Sequence, residues 1–367
     1  MNTTEHTNGA YSALEAAIVA DYVTIAGMGV LKDGTPVYEA YFGGCTKDSR
    51  INVFSVTKSV VSLLIGIALD RGYLKSLDQK ILGFFPDYTP KRGERTIQNV
   101  TLRDMLTMTA PYKYKSNPYT KYYTSPDWVQ FSLDQLGGKG RIGDFRYAPL
   151  IGPDILTGIL TKITGQSVLD FARENLFAPL GLSVEESITF GSKEELLAFY
   201  KATDKSVWAA DPNGVNAGGW GLTLSAMDLA KLGELVLNDG VYRGTRVVSE
   251  HWVRESTSEQ SRWGERNLPY GYLWWVLERG CAAMGDGGNA IYISPEKNLV
   301  VAILSRFQPR AKDRIEFIRK YVAPLFNGTE PEKIQPLNRR APVPPGADES
   351  ASPARIHHPT TQKGESS

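Results

Sequence analysis

Residues 54–88 read FSVTKSVVSLLIGIALDRGYLKSLDQKILGFFPDY. Val60, Leu63, Leu64 and Ile67 recur at helical spacing, which starts a helix close to Ser55. Lys58 follows one turn later on the same face. A lysine amine beside a serine hydroxyl takes its proton when the lysine is neutral. Burial against the Val60–Leu64 surface, or nearby positive charge, lowers the lysine pKa toward that state. N–H groups at a helix start also favour a developing negative charge. The same residues equally suit a capping serine followed by a solvated lysine. A second Ser-x-x-Lys, Ser294 to Lys297, has Pro295 after the serine and falls in an expected hairpin turn, so it is set aside.

Outward from this helix, Tyr22–Gly44 contains two strand-like runs around Asp33-Gly34, a hairpin signal. Ala13–Ala20 reads as a short helix before it. Asn289–Ser305 gives two more strand-like runs around Pro295–Asn298, and 314–326 has helical spacing. Between these ends, helices are expected at 102–107, 153–164, 168–175 and 226–238. Chain ends that meet in one sheet, with helices between, imply an α+β fold: an antiparallel sheet built from both ends and flanked by helices, plus a mostly helical lobe inserted over roughly 60–265. Residues 1–12 are expected to be a flexible N-terminus, 13–330 the folded domain, and 331–367, with seven of the 21 prolines, a disordered Pro-rich tail.

Composition narrows the chemistry. The 367 residues carry 41 Lys+Arg against 40 Asp+Glu, a balance unlike that of a dedicated nucleic-acid binder. Of four histidines, only His251 lies in the body of the chain; it reads as part of a surface helix. A histidine-based metal cluster is therefore not expected, and proton transfer falls to other groups. Cys45 and Cys281 form no zinc or disulfide framework. The N-terminus lacks a signal-peptide pattern, and no apolar run reaches the roughly 20 residues of a bilayer span. A cytoplasmic location without a membrane partner is the expectation.

Longer stretches resemble the serine β-lactamase and penicillin-binding-protein-like superfamily, nearest its class C β-lactamase-related branch of esterases, D-aminopeptidases and 6-aminohexanoate-oligomer hydrolases. The likeness runs in order through residues 54–88, TLRDMLTMT, LTKITGQSVLDFARENLFAPLGL, GGWGLTLSAMDLAKLGELVLNDG, YGYLWWV and GDGGNAIYISPEKNLVVAILS, about residues 20–325. It implies a β-lactamase/transpeptidase-like fold and a serine hydrolase working through an acyl-enzyme. The implied substrates are small esters, amides or peptides, with neither metal nor cofactor.

The resemblance places Ser55 and Lys58 as the first catalytic motif. Tyr147, in Phe145–Pro149, matches the tyrosine of the second, where a phenolate held near cationic lysine acts as base and then acid. Tyr112 and Tyr114 are fallback candidates or pocket-lining residues, and Trp220, Trp274 and Trp275 are candidates for pocket lining or core. The third motif aligns with Asp286-Gly287-Gly288. The resemblance implies an oxyanion hole from the Ser55 and Asn289 amides.

Two departures stand out. Pro149 replaces an Asn or Ser whose side chain would bond lysine or substrate. Asp286 replaces a cation that helps bind the carboxylate of β-lactams and D-Ala-D-Ala peptides. A carboxylate there repels such substrates and favours neutral or cationic ones. The alternatives are a true β-lactamase or D-Ala peptidase, and a catalytically silent ligand-binding relative.

Overall fold

A computed structural model describes residues 4–326. Its centre is an eight-stranded antiparallel sheet in the order Thr35–Tyr41, Ile25–Lys32, Leu299–Ser305, Asn289–Ser294, Gly280–Gly285, Trp275–Leu277, Leu268–Tyr270, Ser261–Trp263. The N-terminal hairpin thus joins the C-terminal strands through the pairing of Ile25–Lys32 with Leu299–Ser305, as expected. Asp33 and Gly34 turn the first hairpin with φ of 52° and 71°, the conformation that Asp-Gly supplies cheaply.

The central strands are buried on both faces, so they read as continuous apolar runs. Along Leu299–Ser305, Leu299, Val301 and Ile303 enter one core while Val300, Ala302 and Leu304 enter the other, the period of two that a pleated strand imposes. One face is covered by the helix Thr4–Asp21, through Leu14 and Ile18, and by Ile315, Phe317 and Ile318 near the chain's other end. The opposite face packs on the helix Ala226–Leu237. The helix Val56–Asp70, buried from Val56 to Ala68, also touches the sheet, at Gly280–Gly285 and Asn289–Ser294.

The helices expected at 102–107, 153–164 and 226–238 stand at Leu102–Leu106, Pro153–Thr164 and Ala226–Leu237. Thr101 and Ser225 close capping boxes with Asp104 and Asp228. Two boundaries differ. The first helix begins at Thr4 rather than Ala13, across residues expected to be flexible; the helix continues through Asn8-Gly9, which local propensity disfavours. The helix expected over 314–326 is regular only over Arg314–Phe317 and continues as wider and tighter turns to Phe326. The tail at 331–367 lies outside the described residues. Among the described residues, no helix is long and apolar enough to cross a membrane.

Candidate active site

Ser55 lies at the N-terminus of the helix Val56–Asp70 with φ −67° and ψ −7°, and its side chain makes no capping hydrogen bond. The residue before it, Phe54, has φ +48°, a costly conformation for an aromatic residue. Two contacts hold it. Its N–H donates to Asn52 Oδ1 at 3.0 Å, and its ring packs against Tyr200 and Phe307 with centroids 5.3 and 5.0 Å away. Asn52 also accepts from the Gly221 N–H at 3.1 Å, tying the turn before Ser55 to the glycine-rich segment opposite. Ser55 is thereby presented partly exposed, while its neighbours are buried.

Lys58 is 1% exposed. Its Nζ lies 2.8 Å from Ser55 Oγ, 2.6 Å from the Pro149 carbonyl oxygen and 3.0 Å from the Gly219 carbonyl oxygen. A neutral amine has two N–H donors and one lone pair. As an ammonium Lys58 donates to all three oxygens; once neutral, its two N–H groups can stay on the carbonyls and its lone pair faces the Ser55 hydroxyl. Burial drives the Lys58 pKa down to about 7, against smaller opposing effects of Asp286 and Asp154. The solvated-lysine alternative does not describe this side chain.

Pro149 therefore still holds the lysine, through its carbonyl instead of a motif side chain. The Tyr147 hydroxyl is hydrogen-bonded to Ser55; burial pushes its pKa up, that bond pulls it down and Asp286 pushes it up further. Its ring centroid is 5.2 Å from Lys58 Nζ and 5.4 Å from the ring of Trp275. Burial thus favours the protonated phenol over the phenolate expected at Tyr147.

The third segment is shifted from its expected position. Gly285, at the end of its strand, comes up against the serine: an added Cβ would overlap the Val53 carbonyl oxygen and stand 3.2 Å from Ser55 N. Asn289 instead opens the next strand, opposite Gly285, and is 1% exposed. Its side chain donates to the Asp286 carbonyl at 3.0 Å and accepts from the Ser305 N–H at 2.9 Å. The amide following the close approach is that of Asp286, and the Asn289 side chain braces the turn. The turn itself, Asp286–Gly288, carries φ of 76° and 95° at Gly287 and Gly288. Burial raises the Asp286 pKa and Lys58 lowers it. The carboxyl also acts electrostatically on Tyr119, Tyr123, Tyr147 and Tyr200, raising the pKa of each.

The remaining candidates fall behind this surface. Tyr112 is 6% exposed, its hydroxyl against Gly152 and its ring 5.7 Å from the Arg146 guanidinium. Tyr114 faces the same guanidinium at 4.6 Å. Trp220 is 1% exposed, donates to the Tyr122 hydroxyl at 3.1 Å and packs on Trp128; Trp274 and Trp275 are also buried. These residues pack the site's walls. His251 has a side chain 82% exposed, in a surface groove with Arg246, Ser249, Glu250 and Arg254. The second Ser-x-x-Lys is a hairpin turn closed by the Lys297 N–H to the Ser294 carbonyl. Cys45 and Cys281 are free and buried. Among the described residues, no group of three His, Cys, Asp or Glu could hold a metal ion.

Sequence reading missed Asn52, Asp154 and the tyrosines of residues 119–123. Asn52 was visible as a polar residue in an apolar run before Ser55. Asp154 offered only its place in the first turn of a helix, where acidic residues are common.

A family model described as Beta-lactamase matches residues 15–323. The chain belongs to the beta-lactamase family. A 6-aminohexanoate-dimer hydrolase of Paenarthrobacter ureafaciens is 24% identical over 301 residues, 75% of this chain and 71% of that protein. Among solved structures, the octameric penicillin-binding protein homologue from Pyrococcus abyssi superposes with a TM-score of 0.66 at 22% identity, over 88% of this chain and 78% of that one. EstCE1, a hydrolase with promiscuous acyltransferase activity, gives 0.63 at 15% identity, over 85% and 97%. This beta-lactamase-family chain therefore has the β-lactamase/transpeptidase-like α+β fold.

Proposed function

We propose that this protein is a serine hydrolase that cleaves carboxylic esters or amides through an acyl-enzyme. The observation that carries the reading is the Lys58 amine, held by two carbonyls with its third direction on Ser55 Oγ. Lys58 takes the Ser55 proton as the oxygen attacks the carbonyl carbon. As the bond from the acyl carbon to the leaving group breaks, the proton held on Lys58 passes through the Tyr147 hydroxyl to the leaving group, and water then displaces Ser55 Oγ to release the acyl group. The Ser55 and Asp286 amides are the proposed oxyanion donors, because Gly285 alone leaves room for the backbone to approach Ser55.

Asp286 orients the substrate choice. Its carboxyl, beside Lys58, repels an anionic acyl donor and favours neutral or amine-bearing esters, amides and peptides. This weighs against the true β-lactamase or D-Ala peptidase. The ligand-binding relative loses its motive at Pro149, whose carbonyl supplies the contact thought missing. Turnover of p-nitrophenyl acetate by wild type and Ser55→Ala tests the reading: loss in the variant supports it, and equal rates would falsify it.

A further inference from the structure

Asp154 has no part in the proton transfers above, yet it is 1% exposed. It lies in the first turn of the helix Pro153–Thr164. Its Oδ1 accepts from the Gly218 N–H at 2.8 Å, while Oδ2 has no hydrogen-bond partner of normal geometry. Gly218 precedes Gly219, one of the two carbonyl acceptors of Lys58. Both glycines press on the backbone that carries the other acceptor. A Cβ on Gly218 would overlap the Pro153 carbonyl oxygen, and one on Gly219 would stand 2.7 Å from the Pro149 carbonyl oxygen. Asp154 thus lies behind the frame that receives the lysine.

We infer that Asp154 is a positioning residue for Lys58: it pins the Gly218–Gly219 backbone and supplies the buried negative charge that offsets the ammonium formed when Ser55 gives up its proton. This rests on the Ser55–Lys58 reading. In the step, the Ser55 O–H bond and the carbonyl π bond break, an N–H bond forms on Lys58, Ser55 Oγ bonds the acyl carbon and the π electron pair goes to the carbonyl oxygen. The proton stays on Lys58 until the leaving group departs, and Asp154 takes none.

The groups that face Asp154 are few. Lys58 comes from the helix Val56–Asp70, Asp211 from the loop beyond Ala209, Tyr122 and Tyr123 from the helix Tyr119–Tyr123, and Tyr112 from the preceding loop. The three phenols have raised pKa values and stay neutral. Lys58 is the cation among these groups. Burial pushes Asp154 up to about 7; the Gly218 N–H and the Tyr122 hydroxyl draw it down, Asp211 raises it, and Lys58 draws it down by less, while the ionised carboxyl draws Lys58 up from its buried value, after the larger effect of Asp286. Two such groups titrate as a pair.

Asp154→Asn keeps an acceptor for the Gly218 N–H and removes the charge. With p-nitrophenyl acetate, turnover persists, KM is unchanged, and the ascending limb of kcat/KM against pH moves to lower pH by on the order of one unit. A limb that stays in place in the folded variant overturns the proposal. Should the variant not fold, wild type labelled with carboxyl-13C aspartate is titrated by NMR alongside Lys58→Met. The Asp154 midpoint then rises when Lys58 is replaced. An unmoved midpoint overturns the proposal, and this readout does not depend on turnover. Failure of the hydrolase reading itself shows separately, as unaltered activity in Ser55→Ala.

Discussion

The carbonyl oxygen of Pro149 lies 2.6 Å from the Nζ of Lys58. A proline at this position removes a motif side chain but keeps the acceptor that fixes the lysine, since proline retains its carbonyl. Pro149→Asn is therefore expected to lower kcat/KM by less than roughly tenfold, because the backbone contact survives. Lys58→Met is expected to lower it by about 10^3-fold, within the usual range for loss of a general base. Steady-state rates on one neutral ester check both.

The pH profile follows from the base. Lys58 accepts the Ser55 proton only when neutral, and its pKa is about 7. Activity is expected to rise with pH through about 7 and then level. An uncharged ester isolates this limb from substrate ionisation. A profile already flat well below neutrality would assign the proton transfer to another group.

Stability carries the same signature with its own sign. The folded protein releases the Lys58 proton near pH 7, while the unfolded chain keeps it to the ordinary lysine value of 10.5. Between those values the unfolded state binds more protons, so the Lys58 contribution to stability grows with pH and is lost as pH falls through about 7. Lys58→Met is expected to lack this dependence and to melt at a higher temperature than wild type at neutral pH. Calorimetry across the window measures both effects.

At Gly285 the chain has no spare volume. Gly285→Ala drives a methyl group into the Val53 carbonyl beside Ser55. A cost of about 1–3 kcal/mol is expected, together with loss of activity as the strand withdraws. Denaturant titration and turnover report the two separately; a variant as stable and active as wild type contradicts the proposed close approach.

Asp286 sets preference by charge. Asp286→Asn is expected to raise kcat/KM for a carboxylate-bearing ester by roughly tenfold relative to a neutral one. A wild type that already prefers the anionic ester removes the basis for this expectation.

The sheet from both chain ends was legible because Leu299–Ser305 and Ile25–Lys32 are unbroken apolar runs beside clear turn residues. The strand Gly280–Gly285 was not. Its Ala282 and Ala283 are wholly buried, and small residues buried on both faces show no polar alternation. At the site, Ser55, Lys58 and Tyr147 were readable from spacing and resemblance. The register of the third motif was ambiguous, because Gly285, Gly287 and Gly288 flank Asp286 and fit the motif in more than one way. Gly285 is fixed only by its packing on Val53, a contact between residues far apart in the chain.

The central claim is that Ser55 becomes acylated. It is tested most directly by quenching the reaction with p-nitrophenyl acetate and mapping the adduct by peptide mass spectrometry, in parallel with a fluorophosphonate probe. The account requires one acetyl or phosphonyl group on Ser55 in wild type and none in Ser55→Ala. Turnover without an adduct on Ser55, or an adduct on another residue that supports full activity, would contradict it.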